Sequence, residues 1–364
     1  MNPSESKNKM KITFILPGVI KIPVGGVKVV NEYANRLSDR GHNVTLVYPI
    51  QIKTGNPVYF IRKKILSVFD RLQHVSDDLY YIPKPAVNVM VVQRISSKYI
   101  PSGDAVIAVG WQTAEAVASL PPEHGSKFYL LQSYEIYFSR KKRILATYHL
   151  PLKKIAVSKW IMAEMEKMGE KCSGPLGNAI HPEEFYVESP QLERKNDVMM
   201  VYHPHKIKGA KDGIEVLKMA KKRLPELTAV IIAPREPIHR IPSWIQVIIR
   251  PSVDELRHLY NTSKVFLHTS HWEGWGLPVM EAMACGCAVV ATTNQGVQEY
   301  LINNKNALFC EIGDIAGLTE KTYRLLDSDQ LQIELVDRGL ATIGSFTWNE
   351  STSRLEKYLI GLVI

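Results

Sequence analysis

Short, unbroken apolar runs alternate along this chain with longer segments of helical period, and that alternation limits the fold more than any other feature. Lys11-Ile-Thr-Phe-Ile-Leu16 is one such run, ended by Pro17-Gly18; it reads as a buried strand and a turn. After Gly25-Gly26, the residues Val29, Val30, Tyr33, Ala34 and Leu37 recur on one helix face. Gly41 closes that helix, and Asn43-Val-Thr-Leu-Val-Tyr48 is a second strand. Parallel strands need a crossover of a dozen or more residues, usually a helix, so strand–helix–strand implies a parallel sheet. Further strands are expected at Ala105–Val109, Phe128–Leu131, Ile155–Ser158, Val198–Tyr202, Thr228–Ala233, Gln246–Ile249 and Ser263–His268. Helices are expected at Lys159–Met168, Asp212–Leu224, Ser252–Tyr260, Ile315–Leu326, Gln330–Ile343 and Asn349–Ile360. In the Asp212 helix, Ile214, Leu217, Met219 and Ala220 are expected to point inward. The whole reads as an α/β chain.

Its 364 residues suit two domains. Charged, patternless sequence from Glu183 to Asn196 reads as the linker. The net charge, 45 − 36 = +9, favours anionic partners: nucleotide diphosphates, acidic lipid headgroups or nucleic acid. Because no aromatic-and-basic recognition module accompanies that charge, nucleic acid is not expected. The four cysteines, Cys172, Cys285, Cys287 and Cys310, include no pair with zinc-site or redox spacing. They read as reduced thiols of a cytoplasmic protein. Residues 1–10 lack a signal-peptide core, and no run approaches ~18 apolar residues. The stretch Phe60–Leu72 is basic and amphipathic. It suits an anionic membrane surface, on the inner face of the membrane, but a helix packed on its own domain gives the same pattern and is the expected reading. Arg140-Lys-Lys-Arg143 is a second basic cluster, able to touch phosphates or simply solvated.

The stretch richest in chemistry runs from His271-Trp-Glu-Gly-Trp-Gly-Leu-Pro-Val-Met to Glu281. A strand precedes it, Gly274-Trp275-Gly276 forms a turn, and Leu277-Pro278 opens a helix, where proline is tolerated. Helix N-termini present bare N–H groups and partial positive charge, which suit a phosphate. Glu281, one turn into that helix, can share a crevice with Glu273 on the loop. The plain alternative is that both are first-turn acids complementing the helix dipole.

This string resembles the Glu-seven-Glu motif of retaining glycosyltransferases of family 4, which have the GT-B fold. The resemblance implies two Rossmann-like doubly wound domains facing across a cleft. Residues 1–182 would be the acceptor-side domain and 183–348 the donor-binding domain, with helix 349–364 crossing back to the first. It implies that Glu273 and Glu281 hold donor-sugar hydroxyls and the nucleotide ribose. Gly25-Gly26 corresponds to the loop beside the donor diphosphate, Lys208-Gly209 to the phosphate-neutralising Lys-Gly, and Gly177–Pro182 to the interdomain turn. His203 stands where the family usually has arginine. A neutral imidazole offers one hydrogen bond where guanidinium offers a charged fork, and His205, Lys206 or protonation of His203 would supply the missing charge.

Loops after strands collect ligands in open α/β sheets. This makes Trp111, after Ala105–Val109, and Gln132, Tyr134 and Glu135, after Phe128–Leu131, acceptor-site candidates. Many family 4 enzymes have a histidine near the latter position; Gln132 with Tyr134-Glu135 looks like the variant of some bacterial rhamnosyltransferases. The implied reaction moves a sugar from a nucleotide-diphosphate sugar to a hydroxyl of a glycan or lipid-linked acceptor, without metal or other cofactor. In it Glu273, Lys208 and His203 act at the reacting centre, while Gly274, Trp275, Gly276, Leu277 and Pro278 line the donor. Asp327-Ser-Asp329 lies in a helix-to-helix turn and reads as capping, not as a metal site. Two other readings stay open: another GT-B enzyme such as a nucleotide-sugar epimerase, and a nucleotide-sugar binder without turnover.

Overall fold

The structure, a computed structural model, describes residues 9–19, 24–52, 81–137, 140–189 and 192–363; the amphipathic stretch Phe60–Leu72 lies outside them. The chain divides into two compact units, Met1–Gly177 with Asn349–Ile364, and Asn178–Trp348.

In the first unit the described strands are β1 (Lys11–Ile15), β2 (Asn43–Gln51), β3 (Asn88–Arg94), β4 (Ala105–Val109), β5 (Ser126–Leu131), β6 (Lys153–Ala156) and β7 (Cys172–Ser173). They pair in parallel in the order β3-β2-β1-β4-β5-β6-β7. Helices α1 (Gly25–Asp39), α2 (Trp111–Ala118), α3 (Lys141–Tyr148) and α4 (Lys159–Lys167) connect them. In the second unit, β8 (Asn196–Val201), β9 (Ala229–Ala233), β10 (Ile245–Ile249), β11 (Ser263–His268), β12 (Ala288–Thr292) and β13 (Leu308–Cys310) form a parallel sheet. Its order is β10-β9-β8-β11-β12-β13. Its helices are α5 (Ala210–Arg223), α6 (Val253–Asn261), α7 (Leu277–Ala284), α8 (Ile315–Leu326) and α9 (Asp329–Gly344).

All-parallel strands must be covered on both faces, so they read as continuous apolar runs. Every residue of β4, β9 and β12 is accordingly buried. Around the second sheet successive residues alternate between two cores. Met199 and Phe266 join Val279, Met280 and Met283 of α7 on one face. Val198, Met200, Val265 and Leu267 join Ile214 and Leu217 of α5 and Leu318 and Leu325 of α8 on the other. Each such side chain contributes ~1.5–3 kcal/mol by leaving water. The last helix, α10 (Trp348–Val363), counts with the first unit from Asn349 on. Ser351 Oγ lies 2.6 Å from Tyr33 Oη, and Glu356 takes both Arg40 (2.6 Å) and His42 (2.9 Å).

Strand order reverses direction between β1 and β4 in one sheet and between β8 and β11 in the other. The chain leaves these neighbours toward opposite faces, which opens a crevice beyond their carboxyl ends. Both are therefore the places to look for a site.

Several expectations need correction. Met219 is 41% exposed, and Val216 takes the inward position, because the buried stripe of α5 runs 213, 216, 217, 220. The segment 183–196 is part of the second unit. Phe185 is buried, Glu188 pairs with Arg257 and His258, and Arg194 donates to the carbonyls of Tyr260, Ser263 and Cys285. Its charges clasp the unit, which periodicity cannot register. Trp111 opens helix α2 instead of lying in a loop. Arg143 of the basic cluster is tied to Glu115, its Nε donating at 2.9 Å. Edge strand β3 and helix α3 lack a clear apolar period and were not foreseen.

Candidate functional site

At the switch point of the second sheet, β8 runs into Tyr202-His203-Pro204-His205 and a tight turn at Lys206–Lys208. Gly209 follows at φ +59°, where a Cβ would sit 1.8 Å from the Thr269 carbonyl oxygen. Only glycine tolerates both the left-handed backbone and that approach. The close approach lets the loops after β8 and β11 join. Thr269 Oγ1 donates to Gly209 O (2.8 Å), and both His271 N–H (2.8 Å) and Ser270 Oγ (3.2 Å) donate to Ile207 O. The His271 ring pairs with Asp212 at the start of α5. Held this way, Lys208 Nζ reaches Glu273 Oε2 at 2.7 Å.

The Glu273 loop is fixed from its other side by two glycines. A Cβ on Gly296 would lie 2.6 Å from the Glu273 carbonyl oxygen. Gly276, at φ +93°, leaves room for Val297 and Tyr300, whose hydroxyl donates to its carbonyl at 2.8 Å. It caps α7, with Leu277 and Pro278 as the first helical residues. Glu281 accepts a hydrogen bond from Tyr260 Oη (3.3 Å). Burial, then the charges of Glu273 and Glu281, push the Tyr300 phenol well up, so both carboxylates lie near one ring. The Trp275 side chain is buried against Tyr300 and Phe346 and donates to Met280 sulfur; it is a core residue, and only its backbone borders the loop.

Charge states follow from these contacts. Burial alone would raise Glu273; the Lys208 ammonium, His268 and hydrogen bonds from Lys208 and Ser270 outweigh it and hold the carboxyl below its usual range. Burial first, then Lys208, His205 and Arg235, push His203 down to about 4. Its Nδ1 accepts the His205 N–H (3.1 Å), which leaves the ring proton on Nε2. In this setting His203 offers an Nε2–H donor beside the Lys208 side chain. His268, not foreseen as a site residue, ends β11 with Nε2 3.9 Å from Glu273 Oε1. Burial pushes it down to about 4, with Lys208 adding to the effect and Glu273 opposing it. A polar residue at the carboxyl end of a central strand was the signal available.

In the first unit, α1 begins at Gly25 with no side-chain cap and no acid in its first turn. Gln132 Nε2 donates to Gly26 O at 3.0 Å. Glu135 Oε2 accepts the Trp111 N–H at the start of α2 (3.0 Å), and the Glu135 N–H donates to Tyr148 Oη (2.9 Å). Burial raises the Glu135 carboxyl to about 7, the Trp111 N–H opposing it. Trp111 Nε1, Gln112 Oε1 and Gln132 Oε1 are buried without a hydrogen-bond partner among the described residues. Such orphans next to strand ends call for an external partner. Tyr134 departs from this group: it is buried on Tyr148, with its hydroxyl toward Met168 sulfur.

Among the described residues no group of three or more His, Cys, Asp or Glu side chains is placed to hold a metal ion. Ser328 is the residue that caps α9, its hydroxyl accepting the Leu331 N–H, with Asp329 in the first turn. No described helix is long and apolar enough to cross a membrane.

Residues 183–340 match the model of the family described as "Glycosyl transferases group 1". The O-antigen chain mannosyltransferase B of Escherichia coli is 28% identical over 111 residues, which is 30% of this chain and 29% of that protein. The chain spans about a third to a half of the length of the curated relatives it matches first. Among solved structures, sucrose-phosphate synthase from Thermosynechococcus elongatus superposes with a TM-score of 0.73 at 16% identity, over 97% of this chain and 99% of that one. Anabaena HepE, solved with UDP and glucose, gives 0.71 at 17% identity, over 97% and 100%. These likenesses establish the fold: two Rossmann-like parallel-sheet domains of the GT-B type.

Proposed function

We propose that this chain is a retaining glycosyltransferase of the family 4 type, moving a sugar from a nucleotide-diphosphate sugar to a hydroxyl of a glycan or lipid-linked acceptor without a metal. The observation that carries the reading is the Lys208–Glu273 pair at the switch point of the second sheet, 2.7 Å apart and stitched by paired loops. A diphosphate needs a cation and N–H donors; Lys208 and the amino end of α7 supply them. A sugar hydroxyl needs an ionised acceptor, which Glu273 on the loop supplies, and Glu281 on α7 takes the ribose.

In the transfer, the acceptor oxygen bonds to the anomeric carbon as the bond from that carbon to the phosphate oxygen breaks. The acceptor proton passes to the departing phosphate on the same face, so configuration is kept. Lys208 and the neutral His203 Nε2–H stabilise charge gathering on the diphosphate, each such donor being worth ~2.7–4 kcal/mol in other enzymes. The unpartnered Trp111 and Gln132 atoms and the Glu135 carboxyl of the first unit serve the acceptor.

A thermal-shift panel of nucleoside diphosphates and their sugars tests binding, since a ligand at 100 times its Kd stabilises by ~2.7 kcal/mol. Transfer to a hydroxyl acceptor, with the product's anomeric configuration read by NMR and EDTA without effect, is the expected outcome. Inversion, a chelator-sensitive rate, or full activity in Lys208→Ala would overturn the respective parts. The neutral His203 favours one rival, a nucleotide-sugar binder without turnover; stabilisation by donors with neither transfer nor hydrolysis would select it.

A further inference from the structure

Lys208 and Glu273 neutralise one another, yet the reading above requires Lys208 to serve a diphosphate. A buried carboxylate that loses its cation must find another partner or take up a proton. The side chain placed to answer is His268. Among the described residues its buried Nε2 has no hydrogen-bond partner, an arrangement that native structures rarely leave unexplained. It lies 3.9 Å from Glu273 Oε1, while Lys208 holds the opposite oxygen, Oε2. A shift of about 1 Å brings Nε2 into hydrogen-bonding range. Phe266 stacks on the imidazole, ring centroids 6.3 Å apart and planes at 23°, which limits its rotation.

We propose that His268 is the reserve partner of Glu273: when an anionic ligand draws Lys208 away, the His268 Nε2–H closes on Oε1 and keeps the carboxylate ionised and aimed. It is a positioning residue, acting on substrate only through Glu273. The charged groups acting on it are Glu273 and Lys208; Glu273 in turn acts on His203 and Tyr300. The inference rests on the proposed role of Lys208, but part of its test needs no ligand.

Lys208→Met imitates the departure of the ammonium. In 15N-histidine NMR titrations, wild-type His268 should stay neutral above pH 5. In Lys208→Met its pKa should rise by about 1 unit or more, the effect of an uncompensated carboxylate at this range, and an Nε2–H resonance protected from water should appear. An unchanged His268 in a folded Lys208→Met protein overturns the proposal. A second arm uses UDP, GDP and inorganic pyrophosphate. His268→Leu should weaken nucleotide-sugar binding about tenfold and move the acid limb of its pH profile upward, while His268→Gln, which restores an N–H, recovers most of the loss. Equal behaviour of the two variants also overturns it. If wild type binds none of the three probes, the donor-site reading fails, and the Lys208→Met spectra still decide His268.

Discussion

Replacing Lys208 by alanine tests the electrostatics of the second unit through stability alone. The substitution removes the cation from a carboxylate whose side chain is 12% exposed, leaving Ser270 and the approaching His268 Nε2–H as hydrogen-bond partners. A buried group deprived of one partner costs about 1–3 kcal/mol. Lys208 is itself 31% exposed and Ser270 stays, which places the expected loss near the middle, about 2 kcal/mol. The second unit has 348 − 178 + 1 = 171 residues, a size at which 1 kcal/mol moves Tm by about 2–4 °C, so a drop of about 4–8 °C is expected at pH 7.5. The pH dependence carries the sign. In wild type Glu273 lies below its unfolded value of about 4.3, so its contribution is present above that pH and lost as pH falls through the folded value. Without Lys208 less opposes burial and the folded value rises, so the variant loses most at neutral pH and less as the carboxyl protonates. Urea unfolding of both proteins at pH 7.5 and 4.5 should show the gap shrinking toward acid. An equal gap at both values would refute the assignment of a buried, Lys208-dependent charge.

Three further outcomes follow from the geometry. Gly296 sits at φ −64°, a backbone any residue adopts, so Gly296→Ala perturbs by space alone: its Cβ meets the Glu273 carbonyl oxygen at 2.6 Å. A displacement near 1 Å should cut sugar transfer about 100-fold with the fold intact by circular dichroism; wild-type transfer would remove Glu273 from the reacting centre. Burial raises Glu135 to about 7, above its unfolded ~4.3, so folding loses stability as pH climbs through that interval. Glu135→Gln should therefore be neutral near pH 4 and stabilising by about 1–3 kcal/mol above pH 7, and denaturant midpoints that do not diverge with pH would contradict the burial. Burial pushes the Cys172 and Cys287 thiols up to about 12, and Cys285 higher still. A thiol reagent at pH 8 should label Cys285 and Cys287 rapidly only in urea, and rapid labelling of either in the native chain would show the second unit to be open.

Much of the architecture was written in the order of residues. Apolar runs of strand length between amphipathic segments force parallel sheets, because both faces of each strand must be covered. The helix expected from Ser252, which the structure starts with a Ser252–Glu255 capping box, and the α7 start at Leu277-Pro278 also appeared where local chemistry places them. The positions of Lys208 and Glu273 after strands were legible for the same reason. Local rules failed where stabilisation is not periodic: Phe185 and Arg194 in the supposed linker, the polar edge strand β3, and Trp275, whose burial depends on Tyr300 and Phe346.

What the chain determined by itself is thus the alternation of strands and helices and the loops on which its chemistry stands. What tertiary structure alone decided is the state of that chemistry. Lys208 and Glu273 are 65 residues apart in sequence and 2.7 Å apart in space; His203 is pushed down to about 4 by burial and by Lys208, and His268 Nε2 comes within 3.9 Å of Glu273, only once β8 and β11 have formed one sheet. Ionisation depends on desolvation and on charges within a few ångströms, and neither exists until folding brings those strand ends together.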